Sequence, residues 1–368
     1  MTSRERLTRL FLNKEIDRIP IWLLFPWHPV GCYIDVYTNP YYSSILPYIE
    51  KYCETLDRRV YPATHFCFNG NPDIKSGKVQ ENINGVPTQV RQIKYDNICL
   101  RNYAETTNAG KFLRHFIDDP KMLKEIAAIP YVFPEPDFTK IIREKEELGD
   151  RGLLMMSAGD PLAPLYNLVS AENFAIWSLT DYDAMLEFID IMYDRCLAIY
   201  RACLEKNAAD VYFIVGSEFA GPPLVSPDKF NDLSVRYVKG IVDLIRSYGK
   251  FSIVHYHGNL FHILSGMKKI NPDGLHTIEA PPVGNCTLTQ ARAVLGNMIL
   301  IGNIQYDDLR SRDPQDLETM VKETIGEARG GRFILSPSAG PFEEKISDHQ
   351  VKNYIAFIEA GIKYGGIK

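Results

Sequence analysis

The sequence lacks several features that would assign it to a familiar class. Its seven cysteines include no C-x-x-C pair, which predicts free thiols in a reducing compartment rather than a zinc ribbon or a redox motif. No G-x-G-x-x-G or P-loop string occurs, and this absence removes the main support for an open nucleotide-binding fold. The longest apolar run, residues 19–27, contains two prolines and is far shorter than the roughly 20 residues that cross a bilayer.

A strong excess of one charge is also missing. The 41 basic and 46 acidic side chains give a net charge of −5 over 368 residues, without the basic bias of a nucleic-acid-binding protein. Residues 1–18 alternate charged side chains with Leu and Phe, so no secretion signal is predicted. We therefore expect a cytoplasmic monomer or homodimer that acts on a small molecule and binds neither nucleic acid nor membrane.

Short apolar runs and amphipathic helices alternate over the second half of the chain. The predicted strands are 153–158, 211–216, 251–257, 274–279, 298–304 and 332–338. Apolar strands between helices are typical of a parallel sheet that is buried on both faces. With one or two further units before residue 70, including a strand at 19–25, the pattern predicts a closed (β/α)8 TIM barrel in a single domain, residues 1–368.

The segment at about 73–104 has a different pattern. Asn84-Gly85 lies between two stretches of alternating polar and apolar residues, which is a strong hairpin signal. We predict an antiparallel excursion from the barrel here, and a helix over 41–56 before it.

The predicted strand ends define the candidate site, because a barrel of this kind builds its active site at the carboxyl ends of its strands. Alternation along 251–257 places His255 and His257 on one face, pointing into the mouth of the barrel. Two neutral imidazoles and one carboxylate form a common catalytic zinc set, and Glu279 or Glu218 could supply the carboxylate. The alternative is that the two histidines only make structural hydrogen bonds or bind an anionic substrate.

Other strand ends contribute further candidates, each with a structural alternative. Glu218 could be a ligand, a proton carrier or an acceptor of backbone N–H groups, and Asp160 could simply cap a helix. His262 and His276 are interpreted as structural, because they fall out of phase with the histidine pair or within a helix. The candidate catalytic residues are Glu218, Glu279 and Asp160, and the candidate substrate-binding residues are Trp27, His28, Phe219, Asn303 and Ser338.

Several strings of the sequence resemble one family in their order along the chain. They are GSEFAGPPLVSPDKF, HYHG, GLHTIEAPP, LIGNI and FILSPSAG, with RLTRLFLNKEIDRIPIW and KFLRHFIDDPKML nearer the amino terminus. This order is similar to that of the uroporphyrinogen decarboxylase superfamily, which includes cobalamin- and corrinoid-dependent methyltransferases. The resemblance covers essentially the whole chain and implies the (β/α)8 fold.

The departures from the family pattern bear on the activity. Decarboxylases of the family carry a Met-Arg-Gln-Ala-Gly-Arg string after the first strand, whereas residues 24–30 here contain no Arg. The methyltransferase branch binds zinc through His-x-Cys and a later Cys. His255 matches the His of that motif, while His257 and Ser338 stand where the two Cys would be.

The resemblance therefore implies the methyltransferase branch with a harder ligand set. The expected metal is zinc on His255, His257 and Glu279, which would act on an O- or N-methylated substrate. The methyl group would pass to or from a corrinoid on a partner protein. The alternatives are a carboxy-lyase that acts on a different or smaller acid, and a non-catalytic binding protein on the same scaffold.

Overall fold

The computed structural model describes residues 1–63, 65–107 and 110–366. Its strands are β1 (Thr55–Val60), β2 (Lys75–Ile83), β3 (Val86–Tyr95), β4 (Ile98–Thr107), β5 (Gly110–Arg114), β6 (Gly152–Ser157), β7 (Val211–Val215), β8 (Phe251–Tyr256), β9 (Gly274–Thr277), β10 (Ile299–Ile304) and β11 (Phe333–Pro337). Its α-helices are α1 (Ser3–Phe11), α2 (Leu46–Tyr52), α3 (Lys121–Ala127), α4 (Thr139–Leu148), α5 (Ala163–Leu168), α6 (Ala171–Thr180), α7 (Tyr182–Glu205), α8 (Arg236–Ser247), α9 (Leu264–Ile270), α10 (Leu288–Leu295), α11 (Tyr306–Ser311), α12 (Pro314–Ala328) and α13 (Asp348–Tyr364).

The strands form two separate sheets. Seven of them make a parallel sheet in the order β1-β6-β7-β8-β9-β10-β11, with helices in the connections from β6 onward. The order follows the sequence, so each strand lies beside the next strand of the α/β series. In this register Val215 lies opposite His255, and His255 opposite His276. The carboxyl ends of β7, β8 and β9 therefore meet at one edge of the sheet.

A short segment lies between the two outer strands of the parallel sheet. Leu335 of β11 accepts a hydrogen bond from the amide of Trp22 and donates one to the carbonyl of Pro20, both at 2.9 Å. On the other side, the amide of Glu54 donates to the carbonyl of Ile21 at 2.8 Å. The strand expected at 19–25 is thus reduced to residues 20–22, which contact both edges of the sheet.

The prediction for residues 41–56 is only partly correct. Helix α2 ends at Tyr52, and β1 begins at Thr55 as the first strand of the parallel sheet. The amide of Cys53 still donates to the Ile49 carbonyl, but the backbone of Cys53 is already extended, with ψ near 151°. The last residues of the predicted helix therefore belong to a strand.

The interior of the parallel sheet is filled by alternate side chains of its strands. They are Leu56, Leu153, Met155, Val211, Phe213, Ile253, Ile299, Ile301 and Ile334. Helix α1 packs Leu7, Leu10 and Phe11 into the same cluster, and the Phe11 and Phe251 rings stack with centroids 4.6 Å apart. Because Phe251 begins β8, α1 covers the amino ends of the strands, and the carboxyl ends are left for a site.

The second sheet is antiparallel, in the order β2-β3-β4-β5. Asn84 and Gly85 form the turn between β2 and β3, with φ of 54° and 81°, as the hairpin prediction requires. The sheet extends to Arg114, beyond the expected limit near 104, because β5 adds a further strand against β4. Within the described residues, no helix is both long and apolar enough to cross a membrane.

Candidate functional site

The histidine pair lies at the carboxyl end of β8. His255 belongs to the strand and His257 follows it, and their ring centroids are 4.5 Å apart with the ring planes nearly perpendicular, at 89°. The ring of Phe213, from β7, lies against His255 at a centroid distance of 5.3 Å. The two imidazoles are therefore adjacent, as the alternation of the strand predicts.

The tautomer of His255 follows from a chain of hydrogen bonds. His276 Nε2 lies 3.1 Å from the carbonyl oxygen of Pro337, which can only accept, so Nε2 carries the proton. Burial lowers the pKa of His276 to about 3, so the ring is neutral and its Nδ1 is an acceptor. His255 Nδ1, 2.8 Å away, must then be the donor, which leaves a lone pair on His255 Nε2.

This contact changes the interpretation of His276. It is fully buried, but its ring stacks on that of His255 with centroids 4.9 Å apart, so the out-of-phase placement expected from the sequence is wrong, and it holds one member of the candidate pair. Burial, followed by the nearby His276, lowers the pKa of His255 well below its usual value. His255 is therefore a neutral imidazole at pH 7.

Glu279 lies behind His257. Its Oε1 is 3.0 Å from His257 Nδ1, and its Oε2 accepts the Gly258 amide at 2.7 Å. Burial alone would lower the pKa of His257, but the hydrogen bond to Glu279 outweighs it and raises that pKa. Burial opposes ionisation of Glu279 as well, yet the same hydrogen bonds keep its pKa low. Glu279 thus orients His257 through Nδ1, and Nε2 of His257 has no hydrogen-bond partner among the described residues.

Two carboxyl groups follow β6 and β7: Glu218 lies near His257, and Asp160 lies near Glu218. Asp160 is buried, and its two oxygens accept the Leu162 amide at 2.8 Å and the Ser217 hydroxyl at 3.3 Å. Burial raises the pKa of Asp160 to about 7, with a smaller contribution from the charge of Glu218. Burial likewise raises the pKa of Glu218, whose Oε2 accepts the amide of Gly216 at 3.1 Å. Asp160 can therefore hold a proton near neutral pH, and Glu218 keeps its proton to a higher pH than an exposed glutamate does.

Arg58 is a further residue of this region that the sequence reasoning missed. It lies on β1 with its guanidinium carbon 5.0 Å from the centroid of the Phe213 ring, the same ring that His255 contacts. Its Nε donates to the Ser157 hydroxyl at 3.2 Å and its Nη1 to the Tyr33 hydroxyl at 2.8 Å. The sequence signal that could have identified Arg58 is its spacing from Leu56, which places both residues on one face of a short strand.

Trp27 and His28 contact the framework and not the histidine pair. Trp27 packs against Tyr37, with centroids 4.7 Å apart, and beneath the guanidinium of Arg151 at 4.1 Å. The carboxylate of Asp57 accepts both backbone amides of the Trp27-His28 loop and lies 2.7 Å from His28 Nδ1. These contacts fasten the loop to β1.

The other predicted substrate-binding residues also have framework partners. Asn303 Oδ1 accepts the Thr324 hydroxyl of α12 at 3.3 Å, and Phe219 stacks on Tyr166 with centroids 4.0 Å apart. Ser338 Oγ accepts the Tyr306 amide at 3.1 Å. The structure thus connects His255, His257, Glu279, Glu218 and Asp160, and places Phe219 against Tyr166, whose pKa the charges of Asp160 and Glu218 raise. Trp27, His28, Asn303 and Ser338 have partners outside this group.

The donor chemistry of the pair suits a divalent metal, but a complete ligand set is not assembled. The neutral imidazole of His255 and the imidazole of His257, with Nδ1 held by His276 and by Glu279, have the outer hydrogen bonds that are typical of metal-binding histidines. Across residues 1–63, 65–107 and 110–366, however, no three His, Cys, Asp or Glu side chains are placed so as to hold a metal ion. The residues fit a metal through the two Nε2 atoms, and a third ligand would have to move or come from solvent or substrate.

Comparison with known proteins gives a family match over most of the chain. A family model described as uroporphyrinogen decarboxylase (URO-D) matches residues 103–364. A methylcobamide:CoM methyltransferase MtaA from Methanosarcina barkeri is 27% identical over 203 residues, which are 55% of this chain and 56% of the relative. Another protein of that name, from M. barkeri strain Fusaro, is 25% identical over 202 residues. The chain therefore matches little more than half the length of these curated relatives.

A solved structure supports the fold over its full length. A methyltransferase from Methanosarcina mazei superimposes with a TM-score of 0.65 at 19% identity and covers 99% of both chains. At this identity the likeness bears on the fold alone.

Proposed function

Because the chain belongs to the uroporphyrinogen decarboxylase family, we propose that it is a metal-dependent methyltransferase or demethylase of the corrinoid-linked branch. It would transfer a methyl group between a small O- or N-methylated substrate and a corrinoid carried by a partner protein. The observation that carries the proposal is the pair His255 and His257: each Nδ1 has a fixed partner, and neither Nε2 has a hydrogen-bond partner within residues 1–63, 65–107 and 110–366. The names of the two curated relatives support the reaction class.

The proposal takes the parallel sheet as a closed (β/α)8 barrel. Residues 20–22 would be its eighth member, because their backbone bonds reach Leu335 on one side and Glu54 on the other. A closed barrel gives the histidine pair, Glu218 and Arg58 one common mouth.

His255 and His257 would hold the metal through Nε2. Zinc, when bound, supplies a Lewis acid that polarises the oxygen or nitrogen from which the methyl group departs. His276 and Glu279 act as positioning residues, since each fixes the tautomer and ring orientation of one imidazole.

Glu218 is proposed as the proton carrier of the reaction. Loss of a methyl group without its bonding electrons leaves an ether oxygen with a negative charge, and this oxygen needs one proton. Burial makes the carboxyl of Glu218 retain its proton to a higher pH than usual, so it can donate one here and recover it in the reverse direction. The charge of Glu218 in turn contributes to the raised pKa of the neighbouring Asp160.

Metal analysis tests the proposal directly. We expect protein prepared without chelators to contain about one zinc per chain by inductively coupled plasma mass spectrometry, and His255→Ala and His257→Ala to lose it. His262→Ala is the matched control, because His262 is exposed on a neighbouring turn and should leave the zinc content unchanged. Wild-type protein that takes up no zinc on dialysis against it would contradict the metal proposal.

A substitution that exchanges one proposed ligand for another gives a sharper version of the same test. His257→Cys would create the His-x-Cys pair of the methyltransferase branch, with a softer sulfur ligand. We expect tighter zinc binding in this variant than in the wild type, measured by competition with a chromophoric chelator. Equal or weaker binding would indicate that position 257 does not face the metal.

Arg58 favours the carboxy-lyase as a second candidate function. A cation in the mouth could hold the carboxylate of a small acid that is then decarboxylated. The two functions separate in an assay with cob(I)alamin and methylated substrates, in which only the methyltransferase forms methylcobalamin.

A further inference from the structure

Arg58 differs from the cation beside it in its partners. Arg59 forms ion pairs with Asp57 at 3.1 Å and with Glu144 at 2.7 Å, so its charge is compensated on the outer face of β1. Arg58, on the inner face, has only hydroxyl and aromatic partners in the part of the chain that the structure describes. The charge of Arg59 is thus compensated by carboxylates, whereas that of Arg58 has no carboxylate partner among the described residues.

The unused donors of Arg58 make it a receptor for an anion. A guanidinium carries five N–H groups, and the hydroxyls of Ser157 and Tyr33 each take one of them. The remaining donors include both N–H groups of Nη2, which have no partner among the described residues. A half-buried cation without a counter-ion is costly, and the planar donor edge matches a carboxylate in a bidentate arrangement.

The position of Arg58 relates this receptor to the candidate site. The Phe213 ring lies 5.0 Å from the Arg58 guanidinium and 5.3 Å between centroids from the His255 ring. One aromatic side chain therefore separates the free donor edge from the histidine pair. A small molecule bound at Arg58 can reach His255 with its other end.

We propose that Arg58, with Tyr33 and Ser157 holding it in place, binds the carboxylate of the substrate. The substrate is then a small organic acid that carries its reacting group about one aromatic ring away from the carboxylate. The placement of the reacting group at the histidine pair rests on the proposed function, whereas the carboxylate subsite itself does not.

Binding measurements on the full-length protein without added metal or corrinoid test the subsite. The probes are 4-methoxybenzoate and its uncharged isostere 4-methoxybenzamide, titrated by isothermal calorimetry. We expect the wild type to bind the acid more tightly than the amide. Loss of a charge-assisted hydrogen bond predicts that Arg58→Gln weakens acid binding about 10- to 100-fold and leaves amide binding unchanged.

Two further variants control for misfolding and for general charge. Arg58→Lys keeps the charge without the bidentate edge and should restore part of the affinity for the acid. Arg143→Gln removes a guanidinium that is 66% exposed on α4, and should bind both probes as the wild type does. Because Arg58 has no carboxylate partner in the described residues, Arg58→Gln should unfold at or above the wild-type temperature.

Several results would overturn the subsite. The subsite is wrong if the acid does not bind the wild type, or if the acid and the amide bind it equally tightly. It is also wrong if Arg58→Gln binds the acid as tightly as the wild type does. If the acid binds through Arg58 but no methylcobalamin forms, the subsite stands and the proposed methyl transfer falls.

Discussion

The buried carboxyl of Asp160 predicts a specific dependence of stability on pH. Asp160 is 2% exposed, and burial raises its pKa from the usual 3.8 to about 7. Asp160→Asn removes this ionisation and keeps the geometry: the amide oxygen can still accept from Leu162 N, and the amide nitrogen can donate to Ser217 Oγ. The variant therefore isolates the free energy of charging this one group.

The sign and size of the effect follow from proton linkage. Between pH 3.8 and about 7 the folded protein holds the Asp160 proton more tightly than the unfolded chain does, so the free energy of unfolding falls as pH rises through this window. A difference of about three pKa units corresponds to an upper limit of about 4 kcal/mol. Relaxation of the site reduces this limit, and we expect Asp160→Asn to be about 1–3 kcal/mol more stable than the wild type at pH 8.

Urea unfolding followed by circular dichroism at pH 5, 6, 7 and 8 measures this difference. The advantage of Asp160→Asn should already be partly present at pH 5, which lies above the unfolded pKa of 3.8, should grow up to about pH 7 and should change little from pH 7 to pH 8. Asp150→Asn is the matched control, since Asp150 is exposed and its substitution should give a curve parallel to the wild type. Parallel curves for Asp160→Asn, or a loss of stability at pH 8, would refute the argument.

Two further predictions concern the framework beneath the site. Glu54→Gln should lower the free energy of unfolding by about 3–5 kcal/mol in urea titrations, because the buried carboxylate pairs with Arg6 and Arg18, both at 2.7 Å; an unchanged midpoint would contradict it. Gly152→Ala should lower the melting temperature in calorimetry, because a Cβ there would lie 2.0 Å from the carbonyl oxygen of Thr55 on the adjacent strand; a variant as stable as the wild type would show that the two strands separate readily.

The sequence predicts the strands of the fold best where a run of apolar residues is also buried on both faces of the sheet. The strands expected at 298–304 and 332–338 are β10 (Ile299–Ile304) and β11 (Phe333–Pro337) in the structure. A strand buried on both faces has to be apolar throughout, so its limits can be read from the sequence. The same reasoning placed His255 and His257 side by side.

Strand β1 escaped prediction because its sequence, TLDRRV, contains three charged residues out of six. Arg59 pairs with both Asp57 and Glu144, and these contacts exist only after folding. Arg58 went unnoticed with its strand. A buried strand that contains charged residues can be recognised only when the ion-pair partners of those residues are known.

The role of His276 could not be predicted for a different reason. Its contact with His255 depends on the register between β8 and β9, two strands that α9 separates in the sequence. Alternation within one strand carries no information on that register. The acceptor that fixes its tautomer, the Pro337 carbonyl, comes from yet another strand.

Helix α1 has a consequence for the order of events during turnover. Its side chains Leu7, Leu10 and Phe11 close the amino end of the strands with packed hydrocarbon, so the closed barrel that we propose would have its opening at the opposite end. Under the proposed function, a small acid and a much larger corrinoid domain must use that same opening. The bound corrinoid domain would block this opening. The acid therefore has to enter first, and its demethylated form can leave only after the domain has dissociated. The kinetics should then be of compulsory order, and excess partner protein should trap the product and slow the steady-state rate.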